Sequence, residues 1–579
     1  MCANLIRFFC YKIDCMKYKN DILIFLGIWI FLYLVSVNNL IFPDFDWFNY
    51  RFYNCWAFLN DRMQTDFFAS NFRTCFSPLI DLPEYFLLFK LNNYPYLFVF
   101  VTLLDNAALL FLVYKITTYI FKFEGLLKLF PLVYVAISPV LMLEMGFDQN
   151  DVKVAFLCLL SFYFLLKYLF NEYGKKRNIM IVVSGALIGL AMALKLTAIV
   201  YAVGFCIIIP MLYKRIDKPF KTLGIFILGI VTVFIVIDGL WMYKCYSIYH
   251  NPIFPYFNDI FKSEYADKIR LLDTDYSHLK PKTFYEFLFY PFLVSFNDKM
   301  FGTDKFAWDS RYAINFICAV LTLFLFAFSK FKTIKEYISK TVNENYFIFC
   351  VLFSIIPFFV NISIFGTYRY IIPSSCIFGI VLFFIIILGC SKSEYKKVFI
   401  WILCLITLFY VYLSTNFGVL EYVLEYNKKY KTFPVDNIRY QKVFETDDLK
   451  LEDDAVVIML NAGASAGAVT QNPKAKYIGF AYSKDITNKY SKEFLRKIDY
   501  FYDAKTLRSE YLEKELSRIF ASDKKVYFMY SPTALLSFLK EGLEELTTER
   551  KITNCKYINM KVYQSFFWGV NIIMCEFNK

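Results

Sequence analysis

Two aspartates stand where the chain first leaves a long apolar run. Asp44 and Asp46 lie in the sequence PDFDWFNY (43–50), among aromatic side chains. A carboxylate that such rings shield from water has a raised proton affinity and can act as a general base on a hydroxyl group. The same oxygens could ligate Mg²⁺ or Mn²⁺. The structural alternative is a helix start with an interfacial aromatic belt, because aspartate is common in first turns.

A second acidic group follows in EMGFDQND (144–151), which contains Glu144, Asp148 and Asp151. Capping of the next helix by Asp151 would explain one of these acids but not all three. We expect the group to face Asp44 and Asp46, where it would shape a site or hold a metal.

Three basic residues are candidates for binding a phosphate: Lys195, Arg369 and Arg73. Lys195 stands at a tight turn between two apolar segments, where a charge is costly unless it reaches water or meets an anion. Snorkelling of its ammonium group to the surface is the alternative. Arg369 begins another apolar segment, and a guanidinium group binds phosphate through two parallel hydrogen bonds.

The elements that position these residues are membrane spans. The 579 residues are 58% hydrophobic and 21% aromatic, with a mean hydropathy of +0.44. A bilayer core of roughly 30 Å needs about 20 apolar residues in a helix. About eleven segments qualify: 22–42, 97–121, 126–143, 152–171, 178–194, 196–213, 221–243, 312–329, 346–364, 370–390 and 397–415.

Basic residues concentrate in alternate loops, at 122–128, 175–177, 214–221, 330–340 and 392–397. The short loops between them carry only Lys153, Lys195 and Arg369. By the positive-inside rule, the N-terminus is cytoplasmic and the C-terminus extracytoplasmic. The acids and cations above then gather on the extracytoplasmic side. The first span lacks a small-residue cleavage site and is interpreted as an anchor.

The fold class that follows is a mainly α, polytopic helix bundle. Residues 1–21 form a cytoplasmic N-terminus, 22–415 the transmembrane module, and 416–579 a small extracytoplasmic α/β domain. In that domain, strands at 455–460, 477–482 and 526–530 alternate with helical stretches at 491–520 and 533–548. The large outer loops of the module are 43–96 and 244–311.

Loop 43–96 has aromatic residues at near-helical spacing, which predicts interfacial helices. Its charged residues are expected on the wet side of these helices: Arg51, Asp61, Arg62, Asp66, Arg73 and Asp81. Cysteines in an oxidising compartment can pair. Cys555 and Cys575 form one candidate disulfide, and Cys55 and Cys75 a second.

Several function classes are excluded. Two histidines and no CxxC pair argue against a zinc or haem centre. The net charge of +13 lies in short loops and sets topology, so it does not indicate nucleic-acid binding. The sequence contains neither a Walker loop nor a GxGxxG motif after a strand. An enzyme on the outer face would then need a pre-activated donor delivered within the membrane.

This combination resembles the GT-C superfamily of polytopic glycosyltransferases, to which the protein-O-mannosyltransferases and the aminoarabinose transferases belong. The matching residues are the two acidic groups, the hairpin GLAMALKLTA (189–198) and the segment RYIIP (369–373). Segments 46–62, 76–87 and 251–263 are similar to a bacterial subset of such proteins. The chain departs from the mannosyltransferase branch in having Asp44-Phe-Asp46 instead of an adjacent Asp-Glu pair.

The resemblance implies an enzyme that transfers a sugar from a polyprenyl-phosphate donor to a lipid-linked glycan, a lipid or a protein, with inversion at the sugar carbon. Asp44 or Asp46 would be the base, Asp148, Asp151 and Glu144 would shape the site, and the cations would neutralise the donor phosphate. The location implied is the bacterial plasma membrane. A glycan or lipid transporter, or an O-antigen-type polymerase or ligase, is the alternative.

Overall fold

The computed structural model of the chain is mainly α-helical, with one small sheet near the C-terminus. The residues that it describes are 15–39, 47–69, 73–121, 125–144, 150–266, 280–296, 309–327, 342–390, 395–414, 444–446, 451–459, 472, 474–479, 510–530, 551–562 and 570–578.

Every predicted span contains at least one described helix. The α-helices are α1 (Cys15–Asn39), α2 (Phe52–Leu59), α3 (Leu82–Leu91), α4 (Pro95–Thr102), α5 (Leu104–Ile120), α6 (Phe130–Ala136), α7 (Pro139–Leu143), α8 (Asp151–Tyr168), α9 (Lys175–Leu194), α10 (Ile199–Met211), α11 (Pro219–Tyr249), α12 (Asn258–Phe261), α13 (Phe284–Phe296), α14 (Arg311–Ala327), α15 (Glu344–Ile364), α16 (Ile372–Ser375), α17 (Phe378–Gly389), α18 (Lys396–Ser414) and α19 (Glu510–Ala521).

Four described helical segments are long and apolar enough to cross a membrane, namely Pro95–Ile120, α9, α11 and α15. A bent pair, Tyr368–Ser375 with α17, makes a fifth if it is one span. The chain is therefore a membrane protein, and the number of eleven spans stays a prediction. The predicted span 126–143 consists of shorter helices, and Pro131 and Pro139 lie at the starts of two of them.

Ion pairs join loops that the sequence places on the same side of the membrane. At one end, Arg215 Nη2 lies 2.7 Å from Glu344 Oε1, and both loops are predicted cytoplasmic. At the other end, Lys195 Nζ lies 2.7 Å from Asp151 Oδ1, and both loops are predicted outside. The alternation inferred from the basic residues is thus consistent with the packing, while the absolute orientation stays a prediction.

Helices α9 and α11 approach each other closely through glycines. A Cβ atom on Gly185 would lie 2.1 Å from the Phe226 carbonyl oxygen, and one on Gly189 would lie 2.3 Å from that of Ile230. In a membrane, helices associate through such close van der Waals packing. The hydrophobic effect does not drive them together there, because the lipid tails are as apolar as the helix side chains. The small side chains of α9 thus lie at its contact with α11.

The six strands among the described residues form one mixed sheet. They are β1 (Phe444–Thr446), β2 (Val456–Met459), β3 (Lys476–Gly479), β4 (Val526–Tyr530), β5 (Lys551–Val562) and β6 (Val570–Asn578). Their order is β1-β5-β6-β4-β2-β3. The pairs β2–β3 and β2–β4 are parallel, and the pairs of β1 with β5, β5 with β6 and β6 with β4 are antiparallel.

Three of these strands, β2, β3 and β4, are those predicted from the sequence, and β1, β5 and β6 are additional. Of the predicted helical stretches, α19 is described within 491–520, and 533–548 lies outside the described residues. The predicted disulfide between Cys555 and Cys575 is present, joining β5 to β6. The other candidate pair is wrong, because Cys55 and Cys75 are free and buried. The boundaries of a separate C-terminal domain stay a prediction.

The edge of this sheet is covered by the first long loop. Phe67 pairs with Ile478 of β3 in a parallel bridge. The Phe67 amide donates to the Tyr477 carbonyl at 2.9 Å, and the Gly479 amide donates to the Phe67 carbonyl at 2.7 Å. A Cβ atom on Gly479 would lie 1.7 Å from the Phe68 carbonyl oxygen, so this contact requires glycine. Covering an edge strand satisfies backbone groups that would otherwise attract another chain.

A buried ion pair fastens the same junction. Arg62 Nη2 lies 2.6 Å from Asp66 Oδ1, and the Tyr477 amide donates to the same oxygen at 2.9 Å. Arg62 also donates to the Ala475 carbonyl. Burial raises the pKa of the Asp66 carboxyl, and Arg62 opposes that shift.

The prediction that the charged residues of this loop face water is therefore wrong for four of them. Arg51, Arg62, Asp66 and Asp81 are all buried. Asp61 is exposed as expected, and it pairs with Lys244. The difference arises because the sheet and the helix ends cover the loop.

Substitution of Gly185 by alanine tests the α9–α11 contact. The added methyl group would collide with backbone, so we expect the free energy of unfolding to fall by about 1–3 kcal/mol. Denaturant unfolding of the purified protein in detergent measures this change. The control is Gly224→Ala in α11, where nothing lies within 4 Å of an added Cβ. Equal stability of the two variants would contradict the proposed packing constraint.

Candidate functional site

The carboxylate of Asp151 is buried and lies between two cations. Lys195 Nζ is 2.7 Å from Asp151 Oδ1, and Arg369 Nε is 3.4 Å from Oδ2. The Asp151 side chain is 3% exposed, whereas those of Lys195 and Arg369 are 22% and 21% exposed. Water or a ligand can thus reach the cations, while the carboxylate stays inside the protein.

Breaks between helices place these three side chains. Asp151 is the first residue of α8. Lys195 is an extended residue that directly follows α9, with φ −153° and ψ 112°. Arg369 belongs to a short 3₁₀ turn, Tyr368–Ile371, between α15 and α16. Each charge therefore stands at a helix terminus and not on the lipid-facing side of a helix.

The ring of Tyr370 supports both cations. Lys195 Nζ lies 5.4 Å from the ring centroid and Arg369 Cζ lies 5.8 Å from it, within the range of a cation–π contact. The Tyr201 hydroxyl donates to the Tyr370 carbonyl at 3.0 Å and ties this turn to α10.

The first long loop adds a second group of polar side chains. Asn150 Nδ2 donates to Asp81 Oδ1 at 2.5 Å, and Arg51 Nε lies 3.8 Å from the same oxygen. All three side chains are buried. Because Asn150 directly precedes Asp151, this group adjoins the first.

A third pair completes the arrangement. Lys153 Nζ lies 2.7 Å from Glu84 Oε1 and donates to Asn150 Oδ1 at 3.0 Å. Burial raises the pKa of the Glu84 carboxyl, and the charge of Lys153 opposes that shift.

We call the whole set the Asp151 cluster: Arg51, Asp81, Glu84, Asn150, Asp151, Lys153, Lys195 and Arg369. Four cations face three carboxylates, so the cluster has a surplus positive charge when all of them are ionised.

A separate buried network holds the turn that carries Arg369. The Tyr368 hydroxyl donates to Asp309 Oδ2 at 2.5 Å, and Arg311 Nε donates to Asp309 Oδ1 at 2.7 Å. Arg311 also donates to the Tyr134 carbonyl at 3.1 Å. Asp309 and Arg311 thereby connect the second long loop to α6 and to this turn.

Of the residues proposed from the sequence, Asp151, Lys195 and Arg369 come together. Asp44, Asp46 and Asp148 lie outside the described residues. Glu144 is buried, and its carbonyl accepts a hydrogen bond from Asn106 Nδ2 at 3.4 Å.

Arg73 is half-buried in the turn Arg73–Cys75, and its carbonyl accepts from Asn54 Nδ2 at 2.8 Å.

The structure bears on the two structural alternatives, which were helix capping by Asp151 and snorkelling of Lys195. Asp151 is the first residue within α8, so it does not occupy the capping position. Lys195 pairs with the Asp151 carboxylate, so its charge is compensated although its side chain does not extend fully into water. Two cations already engage the Asp151 carboxylate, which makes it a poor ligand for a metal ion. Among the described residues, no group of three His, Cys, Asp or Glu could hold one.

Sequence reasoning missed the participation of Glu84, Asp81 and Arg51 in this site. The available signal was the pair Asp81 and Glu84, which directly precedes the apolar run 85–89. Acids three apart lie on one face of a helix, and an apolar surrounding makes unpaired charges costly. The network of Asp309, Arg311 and Tyr368 gave no comparable signal.

A model of glycosyltransferase family 87 matches residues 85–265. The matched range is less than half of the chain, and it contains Asn150, Asp151, Lys153 and Lys195. The resemblance to membrane glycosyltransferases is confirmed over this range. No curated protein matches the sequence.

The solved structures that are similar to the chain include the following two. One is ArnT from Cupriavidus metallidurans bound to undecaprenyl phosphate, with 11% identity, coverage of 96% of this chain and 97% of that one, and a TM-score of 0.47. The other is the archaeal oligosaccharyltransferase AglB from Archaeoglobus fulgidus in complex with an inhibitory peptide and a dolichol-phosphate. It has 11% identity, coverage of 92% of this chain and 73% of that one, and a TM-score of 0.47.

Substitution Asp151→Asn tests whether this carboxylate holds the cluster together. Without its charge, Lys195 and Arg369 repel each other, so we expect the free energy of unfolding to fall by roughly 2–4 kcal/mol. Denaturant unfolding in detergent is the measurement. Asp61→Asn is the control, since Asp61 pairs with Lys244 through a side chain that is 73% exposed. We expect that control to change stability by less than about 1 kcal/mol. A loss no larger than that of the control would show that the Asp151 charge is dispensable.

Proposed function

We propose that the chain is a membrane glycosyltransferase that moves a sugar from a polyprenyl-phosphate donor to an acceptor outside the cytoplasm. The observation that carries this proposal is the convergence of Lys195 and Arg369 on Asp151, at one end of an apolar helix bundle. The match of residues 85–265 to glycosyltransferase family 87 supports the same reaction class.

The chemical argument concerns the leaving group. When the sugar leaves its donor, negative charge develops on the polyprenyl phosphate. Fixed cations near that phosphate stabilise the charge as it forms, and they do so most strongly where water is excluded. Lys195 and Arg369 are partly exposed, and they share a single carboxylate. An incoming phosphate would supply the negative charge that the cluster lacks.

We assign the role of base to Asp46 or Asp44. Either would take a proton from the acceptor hydroxyl as that oxygen attacks the sugar carbon from the face opposite the phosphate, which inverts the configuration. The acidic pair follows the first apolar segment and precedes Arg51 by only a few residues. Arg51 itself pairs with Asp81 in the cluster.

A deletion strain tests the reaction class. We expect one sugar to be missing from a surface glycan, lipid or protein, and the sugar–polyprenyl-phosphate donor to accumulate. Mass spectrometry of surface glycans and lipid-linked intermediates detects both changes. A complete glycan that fails to reach the surface would instead indicate a transporter, and unlinked repeat units would indicate a polymerase or ligase.

Asp46→Asn is the first variant to test in the complemented strain. If Asp46 is the base, we expect the rate of sugar transfer to fall by about 10²–10⁴-fold, because amide nitrogen cannot accept the proton. Asp44→Asn is the matched variant, and the larger loss identifies the base. Expression and melting temperature should stay unchanged. Full activity of both variants would remove the base role from this pair.

Lys195→Ala tests the donor site. A hydrogen bond to a charged group contributes about 1.5–3 kcal/mol, so we expect donor binding to weaken by roughly 10–150-fold. The KM for the acceptor should change little. Kinetics with each substrate varied in turn separate the two effects. Lys244→Ala is the control, because Lys244 pairs with the exposed Asp61. Unchanged donor affinity in Lys195→Ala would contradict the phosphate role.

A further inference from the structure

Helix α13 (Phe284–Phe296) lies in the second long loop, which the sequence places outside the membrane. Its sequence, FYEFLFYPFLVSF, has a single charged residue, Glu286, in the first turn. A helix that is surrounded by water on one face normally carries polar residues there. This helix does not, so a different environment must cover that face.

One face of α13 packs on helices of the bundle. Phe287 contacts Phe359 with ring centroids 5.0 Å apart, and Phe292 contacts Phe316 at 5.8 Å. The Ser295 hydroxyl accepts a hydrogen bond from the Ala313 amide at 2.9 Å. These contacts fix α13 against α14 and α15.

The contacts also fix its depth. Phe359 lies five residues before the end of α15, and Phe316 lies five residues after the start of α14. At 1.5 Å per residue, both positions are about 8 Å inside the helix ends. Helix α15 is long and apolar enough to span a membrane. An interfacial helix lies about 5–10 Å deep, so α13 has the depth of such a helix.

The opposite face of α13 is apolar and exposed. Phe289 is 52% exposed and Phe296 is 67% exposed, whereas Tyr290 is 1% exposed. Tyr285 and Leu288 lie on the exposed face as well. This face continues onto α14, where Ile317 and its neighbours Val320 and Leu321 are also exposed and apolar. At the start of α13, the Lys282 amide donates a hydrogen bond to the Glu286 carboxylate.

We propose that α13 is an interfacial helix whose exposed aromatic face lies in bilayer lipid, beside the ends of α14 and α15. The second long loop is then partly embedded in the membrane. The proposal rests on the membrane position of α15 and is independent of the proposed glycosyl transfer. It also accounts for the hydrogen bond between Ser295 and Ala313, which holds the embedded helix next to Arg311 and its network.

A photo-crosslinking experiment tests the lipid contact. Benzoylphenylalanine replaces Phe289 in the full chain, which is reconstituted in vesicles of phosphatidylethanolamine and phosphatidylglycerol and irradiated. Mass spectrometry then measures the fraction of the labelled peptide that carries a phospholipid. Phe296 is a second site of substitution, in case one variant does not fold.

Benzoylphenylalanine at two further positions gives reference values for the yield of crosslinking to phospholipid. Val236 on α11 is 67% exposed on a helix long enough to span the membrane, and Lys524 is an exposed residue of the C-terminal region. We expect at least half of the Val236 yield at Phe289 and Phe296, and at least tenfold less at Lys524. A yield at both α13 positions below half of the Val236 value would overturn the proposal. So would crosslinking of these positions to a second copy of the chain.

Discussion

The carboxylate of Asp151 is the interaction on which the candidate site depends. It is buried at the start of α8 and must be paired, since an isolated charge inside a protein is costly. Its partners come from two other places in the chain, the end of α9 and the turn before α16. One charge thereby fixes the relative positions of three helix junctions. The cluster retains a surplus positive charge around this carboxylate, and that surplus favours the binding of an anion.

Burial explains why the polar groups inside the protein are paired. No water satisfies them there, so polar side chains pair with one another. The first long loop follows this rule: Arg62 and Asp66 pair beneath the sheet edge, and Arg51 and Asp81 join the Asp151 cluster. Because the loop serves both, it connects the C-terminal sheet to the candidate site.

The sequence predicted the candidate cations because each is an isolated charge beside an apolar segment. Lys195 and Arg369 were recognisable on this ground alone. Glu84 and Asp81 were not, because their importance depends on Lys153 and Asn150, which are more than 60 residues away in the chain. Asp309 and Tyr368 were missed for the same reason, since their hydrogen bond joins residues 59 apart. Pairings between distant residues leave no periodic pattern in a sequence.

The sequence by itself determined the apolar helices, strands β2, β3 and β4, and the charges at the helix ends. These features follow from local composition, since apolar runs must be buried in lipid or protein. Only the tertiary structure decided that α11 packs on the glycines of α9, that Phe67 extends the sheet edge, and that Asp151 holds both cations. Each of these contacts depends on how helices and loops pack, and packing is a property of the whole chain.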